Sequence, residues 1–200
     1  MAWDVERTKR LLLDAATAEF SEHGLAGARV DRIAAAAGVN KERIYQYFGK
    51  KDELFATVLR TKLRANMDEV PYRGVGPEAV GDYAGRLFDH HLADGTIPRL
   101  IFWEGLERGA AAARDPKRLE YHVAKLDGFR EMLPGVPRQT AGEILLTIVT
   151  LVNAWPVLTH LDGLLVGDGP SRAAERRAAI VAMTVALAEA ATARGEAAAG

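Results

Sequence analysis

The chain contains no cysteine. That rules out disulfide bridges and cysteine-ligated zinc, and it fits the reducing conditions of a cytoplasm. There is no excess of basic residues either: the formal net charge is −1 and the pI about 6.5. A nucleic-acid footprint, if the chain has one, must therefore be local. The N-terminal MAWDVERTKRLLLDAA has charges on both sides of a short apolar run and lacks the long apolar core of a signal peptide. No segment alternates apolar and polar residues for long, so no strand is expected, and no internal repeat is visible. Catalytic signatures are missing too. There is no nucleophile elbow and no phosphate loop, and Gly74-Val75-Gly76, with no strand before it, reads as a linker. No histidine or glutamate spacing suits a metal. Neither an enzyme nor a metal or other cofactor is expected. Residues 144–161 carry no formal charge if His160 is neutral and approach the length of a membrane span. They also hold Asn153, Pro156, His160 and three threonines, which suits a helix buried against protein better than one in lipid.

What is present is a core-forming, helical pattern. Of the 200 residues 48% are hydrophobic and 26% charged, a composition that folds and is neither disordered nor membrane-like. Val5, Thr8, Leu12, Ala16 and Phe20 form one stripe that stops near His23-Gly24. Val30, Ile33, Ala34 and Ala37 form a second that ends at Gly38. Asn40 is a suitable N-cap for a third short helix, Lys41 to Phe48, ended by Gly49. Asp52 and Glu53 suit the first turn of a fourth helix. Further breaks fall at 71–77, 94–95, 114–116, 133–137 and 163–170. The expected fold is all-α, with about nine helices of ordinary length and a frayed GEAAAG tail. An N-terminal three-helix helix-turn-helix domain over residues 1–50 is joined to a C-terminal helical bundle over residues 51–200.

Residues 30–51 have the chemistry of a helix-turn-helix that reads DNA; the alternative is a helical ligand-binding or assembly module whose helix pair does not contact DNA. Ala34 and Gly38 allow a close helix crossing and a tight turn. Ile33, Ala37, Val39, Ile44 and Phe48 can face inward, which leaves Lys41, Glu42, Arg43, Tyr45, Gln46 and Tyr47 along the other sides of the third helix. Gln46 can pair with adenine, and Arg43 or Lys41 with guanine. Tyr45 and Tyr47 offer hydroxyls to phosphates, and Arg29, Arg32, Lys50 and Lys51 can neutralise them. From residue 40 to 51 the formal charge is +3, from Lys41, Arg43, Lys50 and Lys51 against Glu42.

The stretch from Gly24 to Leu54 resembles the DNA-binding domain of the TetR family of transcriptional repressors. Ile33-Ala34, Ala37-Gly38-Val39, Tyr45, Tyr47-Phe48, Lys51 and Leu54 carry the resemblance. It implies a homodimer on double-stranded, palindromic operator DNA, released by a small-molecule effector. Tyr45 and Tyr47 look like the family's phosphate-contacting aromatics, and Lys51 like its phosphate-reaching lysine. Lys41 and Gln46 match positions that approach bases or backbone; Arg29, Asn40, Arg43 and Lys50 complete the expected DNA-binding set. The chain departs from the family where the second helix opens, with Ala28 and Arg29 in place of a threonine or serine. It departs again at Arg43, where a small residue is common.

The resemblance also implies an effector pocket within helices four to seven. Leu100, Trp103, Glu104 and Glu107 share one helical stripe, an aromatic with two carboxylates that suits an amphipathic or cationic ligand. His90, His91, His122 and Trp155 are further pocket candidates. The bland reading makes Trp103 ordinary core and the glutamates solvated. The last two long helices, about 138–161 and 171–193, are expected to pair with those of the partner. Leu151, Ala154, Leu158, Ile180, Met183 and Leu187 would supply that surface. Pro156 should bend the first of them.

Overall fold

The computed structural model describes residues 2–199 and contains α-helices and one 310 turn, with no strand among the described residues. The helices are α1 (Ala2–Gly27), α2 (Val30–Ala37), α3 (Glu42–Phe48), α4 (Lys51–Glu69), α5 (Pro77–Ala93) and α6 (Thr96–Glu107). The 310 turn Gly109–Arg114 follows, then α7 (Pro116–Arg130), α8 (Arg138–Ala154), α9 (Thr159–Leu165) and α10 (Arg172–Ala199). There is thus one α-helix more than expected. The helix expected over 138–161 breaks at Trp155–Leu158, and α8 and α9 meet at 84°. Pro156 has no N–H for a continuing ladder. At the far end α10 runs on to Ala199, through the stretch where a frayed tail was expected.

The chain forms two compact units, and α4 and α6 divide them differently from a cut at residue 50. The first unit is Met1–Asn66 with Thr96–Arg118. Its core is built from the inward stripes of α1 to α4: Leu12, Ala16, Phe20, Ile33, Ile44, Leu54, Phe55, Val58 and Leu59 are all essentially sealed from solvent. The Phe20 and Phe55 rings meet edge to face, with centroids 5.1 Å apart. The start of α4 therefore belongs to the three-helix core, because Leu54 and Phe55 fill its floor. The α6 helix packs along α1 and completes the unit from far away in sequence.

The second unit is Met67–Gly95 with Leu119–Gly200. Here α5, α8 and α10 enclose Val80, Tyr83, Leu87, Phe88, Phe129, Ile144, Ile148, Val152 and Ile180. The approach of α10 to α5 is close because Gly81 and Gly85, four residues apart, present no side chains. A Cβ on Gly81 would lie 2.5 Å from Val185 Cγ2. Tyr72, Tyr83 and Phe129 form an aromatic cluster at the end of this core, with centroids 4.7 to 6.2 Å apart.

Candidate nucleic-acid interface

The α2 helix has no Ser or Thr at its start and no side-chain cap of its own. An acceptor arrives from α1 instead. The Arg29 N–H donates to Glu19 Oε1 at 2.8 Å, and Arg32 Nε donates to the same oxygen at 2.7 Å. Burial works against the charged form of Glu19, but these bonds and the Arg32 charge hold its carboxyl below the ordinary value. Glu19 thus ties down Arg29, the residue before α2, but no side chain caps the helix's own first amides. Gly38 ends α2 in the left-handed region, at φ 64° and ψ 31°. Its N–H is accepted by Ala34 and Ala35 carbonyls, which turns the chain toward α3. Asn40 Oδ1 accepts weakly from the Glu42 N–H at 3.4 Å, and α3 starts at Glu42, one residue later than expected.

With Ile44 fully buried as its anchor, α3 shows its other faces to solvent. Lys41, Arg43, Tyr45 and Gln46 are exposed, and Tyr47 is half-buried. Tyr45 is 52% accessible, unusual for an aromatic with a core nearby. The Arg43 guanidinium donates to the Tyr47 hydroxyl at 2.7 Å and lies 5.8 Å from its ring centroid, so the phenol orients the arginine. Lys41 sits 3.1 Å from Asp31, whose hydrogen bond and charge raise the pKa of the lysine. Val5 and Thr8 of α1, with Gly38 to Asn40, Arg43 and Tyr47, line a shallow groove of about 290 Å³ on this face. Lys50 is exposed. Lys51 is half-buried, and its ammonium donates to the carbonyls of Ala28 at 3.1 Å and Ala26 at 3.4 Å. Except for the exposed Arg29 at the start of α2, the expected DNA-facing residues lie on or beside α3.

The expected pocket residues fall in both units. Leu100, Trp103, Glu104 and Glu107 belong to the first unit, while His91, His122 and Trp155 belong to the second. Leu100 is buried core. The Glu104 carboxylate, 7% exposed, accepts from Arg118 at 2.9 Å. Trp103 Nε1 donates to the Ser21 carbonyl at 3.2 Å, and Glu107 accepts from the Leu25 and Ala26 amides. Both carboxylates of the stripe are thus already engaged inside the chain, and Trp103 and Glu107 are committed to α1. Helical spacing shows which residues share a face but not what that face meets.

In the second unit His122 is exposed beside Tyr121. Trp155 lines a groove of about 220 Å³ with Ala154, Leu158, Leu161, Asp162, Leu165, Val166, Arg172 and Arg176. Ile180 requires correction as an intersubunit residue: it is fully buried in its own chain's core and has no surface to present. Leu151, Ala154 and Leu158 are half-buried, while Met183 and Leu187 are 41% and 39% exposed. Among the described residues no group of three or more His, Cys, Asp or Glu is placed to hold a metal ion.

His91 is 3% exposed. Burial above all, with the charges of His90 and Lys125, pushes its pKa down from 6.5 to about 3, against smaller opposite effects of Asn153 and Asp94. The folded chain therefore keeps it neutral where the unfolded chain would protonate it. Its contribution to stability is complete above pH 6.5 and is lost as the pH falls toward 3, by up to about 1.4 kcal/mol per pH unit. Between pH 6.5 and 5, urea unfolding of the native chain should lose about 1–2 kcal/mol more than that of His91→Gln. Parallel pH profiles for the two proteins would contradict this assignment.

A glycine-linked helix pair with an exposed, cation-bearing second helix, mounted on a small helical core, defines a helix-turn-helix transcriptional regulator. Comparison with known proteins extends this. The model for bacterial regulatory proteins of the tetR family matches residues 12–58, and that for the tetracyclin repressor-like C-terminal domain matches residues 79–185. The chain belongs to the TetR family. It is 39% identical over 175 residues to the HTH-type transcriptional repressor SCO4008 of Streptomyces coelicolor, covering 84% of this chain and 88% of that protein. The crystal structure of SCO4942 from the same organism superposes with a TM-score of 0.66 at 32% identity, covering 88% of this chain and 96% of the other. FadR from Bacillus subtilis, solved in complex with stearoyl-CoA, shares the fold at a TM-score of 0.68 and 17% identity, covering 88% and 97%.

Proposed function

We propose that the chain is a cytoplasmic, homodimeric repressor that binds a palindromic operator through α3 and leaves it when a small molecule binds its second unit. The observation that carries the DNA reading is the outward face of α3. Ile44 is at 0% exposure while Lys41, Arg43, Tyr45 and Gln46 stand in solvent one helical step away. Arg29, Asn40, Lys41, Arg43, Tyr45, Gln46, Tyr47, Lys50 and Lys51 form the proposed contact set. Gln46 and Arg43 read bases, and the others hold phosphates or, for Asn40, the start of α3.

Dimerisation is supported by α10. Its Arg172–Gly195 stretch is long and apolar enough to cross a membrane, yet only 22% of its most apolar window is buried in one chain. A second copy covering that face, with Met183 and Leu187 at the contact, accounts for it in a family of DNA-binding regulators. A two-fold dimer would set its recognition helices one DNA turn apart, about 34 Å. The groove beside Trp155 supports an effector site in the second unit. An effector that favours another helix arrangement lowers operator affinity, and operator lowers effector affinity by the same factor.

The test is selection of genomic fragments of the source organism with purified protein, followed by gel-shift titration. Enriched fragments should contain inverted repeats with half-sites about one turn apart. Recovery of no fragment above non-specific background would remove the proposal.

A further inference from the structure

The turn Gly24–Ala28 is held at both ends by side chains from distant parts of the first unit. At its start the Leu25 and Ala26 N–H groups donate to Glu107 Oε2, at 2.6 and 3.0 Å. At its end the Ala26 and Ala28 carbonyls accept from Lys51 Nζ, at 3.4 and 3.1 Å. A carboxylate thus sits at the amide end of one turn and an ammonium at its carbonyl end, the arrangement that aligned peptide dipoles favour. The turn leaves the line of α1 because Gly24 has φ 69° and ψ −176°. Trp103 fills the notch this creates. Its ring lies 2.8 Å from where a Gly24 Cβ would stand, and both its Nε1 and Arg99 Nε donate to the Ser21 carbonyl.

We infer that Glu107 is a positioning residue for operator binding: from α6 it fixes the Leu25–Ala28 turn, whose carbonyls aim the Lys51 ammonium at the DNA. The inference rests on the reading of Lys51 as a phosphate contact. A lysine is a flexible stem with three donors. Two of them engage the turn, and the third is left for a phosphate oxygen. Glu107 itself does not meet DNA. Without its carboxylate the two amides turn to water, the turn loses its tie to α6, and Lys51 keeps its charge but not its aim. The position of α6 is thereby read at the DNA-binding face.

The experiment is a double-mutant cycle on the full-length chain, titrated at fixed salt by fluorescence anisotropy against an inverted-repeat fragment enriched as above. Melting by circular dichroism monitors folding. Lys51→Ala should weaken binding about tenfold and Glu107→Ala about fivefold, while Glu107→Ala in the Lys51→Ala background should add less than about twofold. Glu107→Gln keeps an acceptor and should bind within about twofold of the native chain. If Glu107→Ala does not fold, Glu107→Asp is read in the same cycle, because its side chain is one methylene too short to bring an oxygen to the two amides. Additive losses, or native affinity in a folded Glu107→Ala, overturn the positioning role. An unchanged affinity in Lys51→Ala overturns instead the phosphate contact itself, and the inference falls with it.

Discussion

Gly24→Ala is expected to lower the unfolding free energy by about 3 kcal/mol or more. Two costs combine. The backbone at φ 69° and ψ −176° lies in a region that essentially only glycine occupies. The added Cβ would also lie 2.6 Å from Glu107 Oε1 and 2.8 Å from two ring atoms of Trp103. Trp103 is held by the Ser21 carbonyl and Glu107 by two amides, so neither gives way cheaply. Gly38→Ala provides the contrast. It too has positive φ, but nothing stands within 4 Å of its Cβ, so its cost should stay near about 1 kcal/mol. Urea denaturation of both variants measures the difference. Equal losses would contradict both the glycine-only backbone and the crowding at Gly24.

Operator affinity is expected to fall by about 10³-fold or more between 50 and 200 mM salt, since a dimer would offer Arg29, Lys41, Lys50 and Lys51 to phosphates twice over. Lys51→Ala should weaken binding across all sequences and reduce the slope of log affinity against log salt by about two per dimer. Gln46→Ala should instead leave that slope alone and relax preference at one base position in each half-site. Tyr47→Phe falls between the two. It removes a hydroxyl that can meet phosphate, and it also releases the Arg43 guanidinium that this hydroxyl orients at 2.7 Å. Gel-shift titrations over a salt series, with the operator and a scrambled control, measure all three. A flat salt response would contradict the phosphate-contact set.

The helix-turn-helix was legible because its signals are local. The turn at Gly38 needs a left-handed residue, and φ 64° is what the structure has there. Ile33 and Ile44 face inward as their stripes predict. The break at Pro156 was legible too, since a missing N–H acts at its own position. Its depth was not. A bend was expected, and a full separation into α8 and α9 at 84° is found. The tie from Glu19 to the Arg29 amide was not legible, for a related reason. Ten residues separate the acceptor from the Arg29 amide, and no sequence rule for caps spans that gap. Ile180 shows the limit of helical periodicity. Its apolar stripe was evident, but both the chain's own core and a partner's face call for the same residue type.

Local chemistry in the sequence was therefore enough to determine an all-helical chain, where most helices stop, and which short helix faces outward with cations and phenols. Those properties depend on residues within a turn or two of one another. That α6 returns to clasp the end of α1, that Glu107 and Trp103 serve a glycine some eighty residues earlier, and that Lys51 is aimed by carbonyls of the same turn were decided only in three dimensions. Hydrogen bonds and close packing between distant segments form only once the whole core has brought them together, and they leave no periodic trace in the order of the residues.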